Sequence, residues 1–458
     1  MMKKIWDKDL PLDEAVERFT IGKDAELDLE LAPYDVLGSI AHVKMLGHTG
    51  LITAEETRQL EKALKQIYNE IEKGDFVIEK GIEDVHSQVE KLLIERLGET
   101  GKKVHTARSR NDQVLLDLRL FSRARLTTIR EEMLRLADTL LDRAERHRDV
   151  PMPGYTHYQV AMPSSFGLWF GSFAESLADD LLLLQAAWRL VNQNPLGSAA
   201  GYGSSFPVDR EETTRLLGFD EVVVNSVYAQ AGRGRTERTV AMALASTAST
   251  LARLAGDAVL FMSQNFAFLS LPDAYTTGSS IMPHKKNPDA FELVRAHCNR
   301  LQALPNELQL ILTNLPTGYH RDFQLLKESY LPAFVALEEC LRITRLLVEH
   351  LTVREDILSD EKYRYLFSVE EVNRLVSEGK PFREAYREVA QQIAEGTFTP
   401  PEKVQYTHTG SIGNPRNDLI REKLYERAAE IDTERPQRIL RQLIQQAGKK
   451  EKTGWKRS

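Results

Sequence analysis

Cysteine is nearly absent: 458 residues hold two, Cys298 and Cys340. Two thiols cannot build a disulfide framework or a four-sulfur metal site, and they suit a reducing cytoplasm. Surplus positive charge is absent too. Sixty Lys and Arg stand against 67 Asp and Glu, a net charge of −7. That balance leaves no general basic surface for nucleic acid, because neutralising phosphates takes an excess of Lys and Arg. It does not exclude a local cationic pocket for an acidic small molecule. No run of about 20 apolar residues exists, so no membrane span is expected. The opening Met1-Met2-Lys3-Lys4-Ile5-Trp6 carries charge without an apolar segment, so no secretory leader is expected. Internal repeats and low-complexity tracts are missing as well.

What is present is an ordinary globular composition, 42% hydrophobic and 28% charged. That is too apolar for disorder, and the length suits about three domains. The dominant pattern is helical. Leu126, Ile129, Met133, Leu136 and Leu140 recur at alternating spacings of three and four. Leu177, Leu181, Leu184, Trp188 and Val191 do the same, as do Leu301, Leu304, Leu308, Ile311 and Leu315. Each set is one apolar face of a packed helix. Five long helices are predicted, over 113–148, 164–193, 237–265, 288–315 and 324–351. Asp75-Phe76-Val77-Ile78-Glu79 is the best of few strand signals. The expected class is all-α, with a helical N-terminal domain (1–108), a central long-helix bundle (109–355) and a small C-terminal helical domain (356–458). The basic end Gly448 to Ser458 reads as a fraying tail.

Chemistry concentrates in loops. The segment Thr277-Gly278-Ser279-Ser280-Ile281-Met282-Pro283-His284-Lys285-Lys286-Asn287-Pro288-Asp289 starts flexible and rich in hydroxyls. It ends as a helix start, with Asn287 as N-cap and Pro288 in the first turn. A helix N-terminus behind two lysines suits an anion. It is not a nucleotide-binding P-loop, since the second glycine before the lysine is missing. A second oddity is the stretch Val150 to Ala174, which has no Asp, Glu, Lys or Arg in a chain that is 28% charged.

Three segments together resemble the fumarase/aspartase superfamily. Gly278-Ser279-Ser280-Ile281-Met282-Pro283-His284-Lys285-Lys286-Asn287 is similar to its signature loop. Thr106-Ala107-Arg108-Ser109-Arg110-Asn111-Asp112-Gln113-Val114 and Gly154-Tyr155-Thr156-His157-Tyr158-Gln159-Val160-Ala161-Met162-Pro163 resemble two further segments. Within the superfamily the wording resembles the argininosuccinate lyase and delta-crystallin family. Glu83-Asp84-Val85-His86-Ser87, Asn194-Pro195-Leu196-Gly197-Ser198 and the run from Arg321 to Glu328 extend the likeness over most of the chain.

The resemblance implies a β-elimination that releases fumarate, with arginine as the leaving group, and no metal or organic cofactor. It implies that Ser279 is the base, with Lys285 and the following helix start helping to stabilise its alkoxide. Ser280 is the alternative one register away. It implies His157 as the acid side, paired with Glu292. It implies that Ser109, Arg110, Asn111, Thr156, Lys285 and Asn287 hold the succinyl part. Tyr319, Gln324 and Lys327 would then line the arginine part, with Asp28 suited to an amino group. It implies a homotetramer with sites shared between subunits and a core of about twenty helices. The alternatives are another fumarate-producing lyase and a structural, delta-crystallin-like scaffold.

One argument needs no family. Arg110 and Asn111 precede the long helix at 113–148, and Thr156 and His157 follow it. At about 1.5 Å per residue that helix is roughly 50 Å long, so one chain cannot bring both motifs to one site. The sequence also departs from the family pattern. Asp24 stands where a serine is usual, and its added charge either suits a more cationic ligand or points to solvent, the default for a lone acid. His284 and His320 replace Gln and Asn. Of the pattern expected after Ser226, only Arg233 survives, in a Gly-Arg-Gly-Arg turn read as a helix lead-in rather than an RNA contact.

Overall fold

The computed structural model describes residues 13–401 and 406–445. The opening Met1–Trp6 and the tail from Gly448 lie outside the described residues. The architecture is all-α, as expected. Helices Ala32–His48, Ala54–Lys73 and Val85–Leu97 form an N-terminal layer. The bundle follows with Arg110–Arg146, Phe166–Val191, Arg235–Met262, Asp289–Leu301, Leu304–Ile311 and Leu326–His350. Ser368–Ser377, Phe382–Ala394, Asn417–Ala429 and Glu434–Gln445 close the chain. No helix among the described residues is long and apolar enough to cross a membrane.

The helical periods translate into packing. Leu126, Ile129, Met133, Leu136 and Leu140 are fully buried, and Leu177, Leu181, Leu184, Trp188 and Val191 face them across the same core. Burying five such side chains contributes on the order of 10 kcal/mol before the ordering entropy is counted. A second cluster joins the N-terminal layer to Leu116, Leu120, Phe219 and Leu443. A third, small cluster of Val372, Leu375, Ala385, Val389 and Phe398 serves two C-terminal helices.

Two expectations fail for definable reasons. The helix expected over 288–315 is two, Asp289–Leu301 and Leu304–Ile311. Pro305 sits in the first turn of the second. It has no N–H to give and its ring crowds the carbonyl four residues back, so the chain must restart. The apolar seam Leu301–Leu304–Leu308 runs straight through the break and hides it. The expected strand at Asp75–Glu79 has no partner strand. It is irregular, pinned by the Glu79 N–H donating to Gln88 Oε1 at 3.0 Å. The longest strands, Pro151–Thr156 and Gln159–Ser165, form an antiparallel hairpin inside the charge-free stretch.

The bundle has two ends. Arg119, near the start of its helix, donates to the carbonyls of Leu190 (2.6 Å) and Gln193 (3.0 Å). Arg143, near its finish, donates to the carbonyl of Leu351. Residues 110, 191, 235 and 326 therefore gather at one end, and 146, 166 and 350 at the other. The hairpin springs from the second end, where Tyr155 Oη meets Tyr363 Oη at 3.1 Å. The loop carrying Ser279 starts there too: Leu269 pairs with Val353, and the Tyr275 ring lies 4.3 Å from that of His350.

Candidate active site

At the first end a cavity of about 380 Å³ opens beside the N-terminus of the 37-residue helix Arg110–Arg146. The local sequence builds that helix start. Ser109 is the N-cap, its Oγ accepting from Asn111 N–H at 3.2 Å. Asp112 completes a capping box by accepting from Ser109 N–H at 3.0 Å, and its other oxygen accepts from the N–H groups of Gly197 and Ala199. Burial raises the Asp112 carboxyl to about 6 despite these donors. Ser109, Arg110 and Asn111 are thereby aimed at the cavity, with the Ser109 hydroxyl proton left to give away.

The opposite wall is ionic. Lys327 Nζ lies 2.6 Å from Asp24 and 2.7 Å from Asp28. Asp28 also accepts from Val85 N–H at 3.3 Å. Arg110 pairs with Asp84 at 3.1 Å, and Arg321 with Glu83 at 2.6 Å. Gln324 spends its amide N–H groups on the carbonyls of Thr20 (3.0 Å) and Ile21 (2.6 Å), tying the entrance helix Glu14–Ile21 to the cavity. Arg233 lies over the rings of Tyr319 (5.5 Å) and Phe323 (5.3 Å). Seven of the expected site residues meet here: Asp28, Ser109, Arg110, Asn111, Tyr319, Gln324 and Lys327.

Asp24 corrects the solvent reading. It faces Lys327 with its side chain only 14% exposed. Burial outweighs the attraction of Lys327 and raises its carboxyl to about 6. Arg233, Glu83, Asp84 and His86 also line the cavity. The signal for the last three was the density of titratable groups in the Glu83–Ser87 run.

Below the cavity floor His86 Nδ1 lies 2.8 Å from Asp35 and 3.7 Å from Asp117. Burial opposes a charge on the imidazole, but the attraction of Asp35, with Asp84 and Asp117, raises it to about 9. Burial and the charge of Asp35 push Asp117 well up. These three are the group among the described residues whose geometry suits a metal ion, their ligand atoms lying within 4.8 Å of one another. The proton on His86 already supplies positive charge beside the Asp35 carboxylate.

The remaining expected residues lie at the far end. Thr156 and His157 sit at the hairpin tip. His157 and Tyr158 both have positive φ, 55° and 57°, which makes the tip a two-residue turn of the type that favours glycine and asparagine. Holding a histidine and a tyrosine there costs about 1–3 kcal/mol each, a strain typical of functional positions. The His157 side chain is exposed and makes no hydrogen bond among the described residues. Ser279 Oγ accepts from the N–H groups of Ile281 (3.3 Å) and Met282 (3.1 Å), a small nest of donors. Ser280, Lys285 and Glu292 are exposed. Glu292 lies 4.0 Å from Arg295, and no hydrogen bond joins it to His157 within the chain. The N-cap expectation for Asn287 shifts by one: the helix starts at Asp289 after Pro288. Asn287 closes the loop instead, its backbone N–H donating to Thr277 O at 2.8 Å. The Arg110–Arg146 helix separates the two groups by about 55 Å, and the helix from Lys327 to His350 by about 35 Å.

A family model described as "Lyase" matches residues 9–303. The chain is 59% identical, over 420 residues, to the argininosuccinate lyase of Phocaeicola vulgatus, covering 92% of this chain and 94% of that protein. The chain belongs to the argininosuccinate lyase family. It is accordingly a lyase. Among solved structures, EDDS lyase in complex with formate superposes with a TM-score of 0.74 at 23% identity, covering 95% of both chains. A class II fumarase from Schistosoma mansoni does so with 0.69 at 17%, covering 85% of this chain and 94% of that one. At these identities the likeness is one of fold, and it is the fold that argininosuccinate lyase family membership leads one to expect.

Proposed function

We propose that the chain catalyses the reversible β-elimination of argininosuccinate to fumarate and arginine, the last step of arginine biosynthesis, in a reducing cytoplasm. The observation that carries this reading is the 59% identity to a curated argininosuccinate lyase over 92% of the chain. The cavity supports it, offering cations and donors on one side and carboxylates on the other, as a substrate with both charges requires.

In this reading Ser279 removes a proton from the carbon next to a carboxylate. A serine hydroxyl is a poor base in water. The two backbone donors at its Oγ, with Lys285 nearby in sequence, would stabilise the alkoxide. The electron pair passes into an aci-carboxylate, and the bond to the guanidino nitrogen then breaks. His157, oriented by a Glu292 carboxylate, gives that nitrogen its proton.

The separation of the two groups requires that one chain's cavity be completed by the hairpin and loop of others, and a homotetramer with shared sites meets that need. Exposed apolar side chains on the long helices, among them Leu182, Leu183, Met242, Leu293 and Ile343, support such a bundle. A retired structural scaffold is disfavoured because Ser279, Lys285, His157 and Glu292 are all present. The test is fumarate release followed by ultraviolet absorbance, with argininosuccinate beside adenylosuccinate, aspartate and malate. Fumarate from argininosuccinate alone is the expected result, and turnover of another substrate instead would overturn the reading.

A further inference from the structure

We propose that Cys298 and Cys340 form an oxidation site, which hydrogen peroxide converts to a disulfide stapling the helix Asp289–Leu301 to the helix Leu326–His350. Neither thiol lines the cavity of Asp28 and Arg110, so the inference does not rest on the proposed β-elimination.

Placement is the first observation. The sequence holds these two cysteines and no other, and they stand on two helices that pack against each other. Both are free thiols in one apolar core, Cys298 fully buried and Cys340 5% exposed. Their side chains meet, the Cys298 S–H donating to the Cys340 sulfur. A disulfide requires the sulfurs to close to about 2 Å, and thiols that already touch start near it. Access is the second observation. A cavity of about 220 Å³ is lined by Leu301, Leu304, Ala333 and Ala336 and by the exposed His297 and Arg300. Leu301 lies one turn from Cys298, and Ala336 one turn from Cys340, on the same helix faces. Room for a molecule the size of hydrogen peroxide is thus one helical turn from each thiol.

The pair is also asymmetric. The shared hydrogen bond pushes the Cys298 thiol up, with burial adding to the effect, and holds that of Cys340 below its usual range. Cys340 is therefore the nucleophile. Its thiolate attacks one peroxide oxygen and the O–O bond breaks. The departing hydroxide takes the thiol proton and leaves as water, and Cys340 becomes a sulfenic acid. The Cys298 sulfur then attacks the Cys340 sulfur. The S–S bond forms, the S–O bond breaks, and a second water leaves with the Cys298 proton. Two thiols have lost two electrons, and the peroxide has gained them. The staple encloses residues 299–339. That stretch holds the helix restart at Pro305 and one wall of the cavity, with Tyr319, Arg321, Gln324 and Lys327. Closing it restricts the unfolded chain more than the folded one, so the folded chain gains.

The test uses the full chain as it assembles, reduced with dithiothreitol, freed of it, and treated with hydrogen peroxide under native conditions. Thiol titration in denaturant should fall from two per chain to none. Peptide mass spectrometry without reductant should recover Cys298 linked to Cys340, a non-reducing gel should show single chains, and dithiothreitol should reverse the link. The oxidised protein should melt about 5 °C above the reduced one. Cys298→Ala should leave Cys340 as a sulfenic acid that dimedone captures, whereas Cys340→Ala should leave Cys298 about 10-fold slower to react. Thiols that stay reduced, a sulfinic acid in place of the link, links between chains, or a melting temperature that does not rise would each overturn the proposal. The decisive comparison is between two states of the unsubstituted chain, so it holds even where a variant fails to fold.

Discussion

The two ends of the bundle solve different problems. At the cavity end most charges have an opposite partner within the chain: Lys327 with Asp24 and Asp28, Arg110 with Asp84, Arg321 with Glu83, His86 with Asp35. At the hairpin end Ser279 is half-buried, the other residues expected to do chemistry are exposed, and His157 has no hydrogen-bond partner among the described residues on a strained turn. The ion pairs of the cavity are built within the single chain, where burial can hold ions in fixed positions. In the proposed reading, proton transfer falls to groups that would acquire an environment when another chain covers them.

The largest effect that would sharpen this contrast is at Ser279. Ser279→Ala should lower kcat by about 10³-fold while arginine binding, measured by calorimetry, stays within about threefold. Near-normal turnover would remove Ser279 from the chemistry. Next comes a mixing experiment. Arg110→Ala damages one end and Ser279→Ala the other, so exchanging subunits between the two inactive proteins should restore activity to about a quarter of wild type if a site takes its cavity and its loop from different chains. No recovery after proven exchange would mean that both ends serve separate sites.

A smaller effect separates the ends by stability. The imidazole of His86 titrates near 9 when folded against 6.5 ordinarily. The folded chain therefore keeps a proton that the unfolded chain has released between those values. The stabilisation is full below pH 6.5 and is lost as pH rises through about 9. His86→Gln should then cost on the order of 3 kcal/mol in urea unfolding at pH 6 and much less at pH 9.5. A pH-independent cost would show that packing, not charge, is what His86 contributes. The smallest effect is at the hairpin. Tyr155→Phe removes the 3.1 Å bond to Tyr363 and should cost about 1 kcal/mol of stability, with arginine binding unchanged.

The long helices were legible because a 3.6-residue period repeated over 25 residues or more leaves little room for another reading. The helices expected at 113–148 and 164–193 are observed at Arg110–Arg146 and Phe166–Val191. The hairpin was not foreseen, because Pro151–Ser165 lacks a clean alternation of apolar and polar residues and pairs only with itself. Pro305 was overlooked because apolar spacing is blind to a missing N–H. Asp24 was misjudged for a related reason. Its partner Lys327 is 303 positions away, and no local pattern reports a contact of that range. Seven of the expected site residues line one cavity, and the separation of the others from it was readable only through the length of a helix.

That helix also acts as a caliper. Its 37 residues join the Ser109 cap to the hairpin root without a glycine or proline to absorb error. One residue inserted or removed anywhere within it would turn one end relative to the other by about 100° and displace it by about 1.5 Å. In the proposed shared-site assembly each cavity would then meet a misaimed hairpin from its neighbour, even with every side chain named above intact. The distance between the two ends is thus written into a count of residues, which substitutions leave untouched and a single-codon insertion or deletion would spoil.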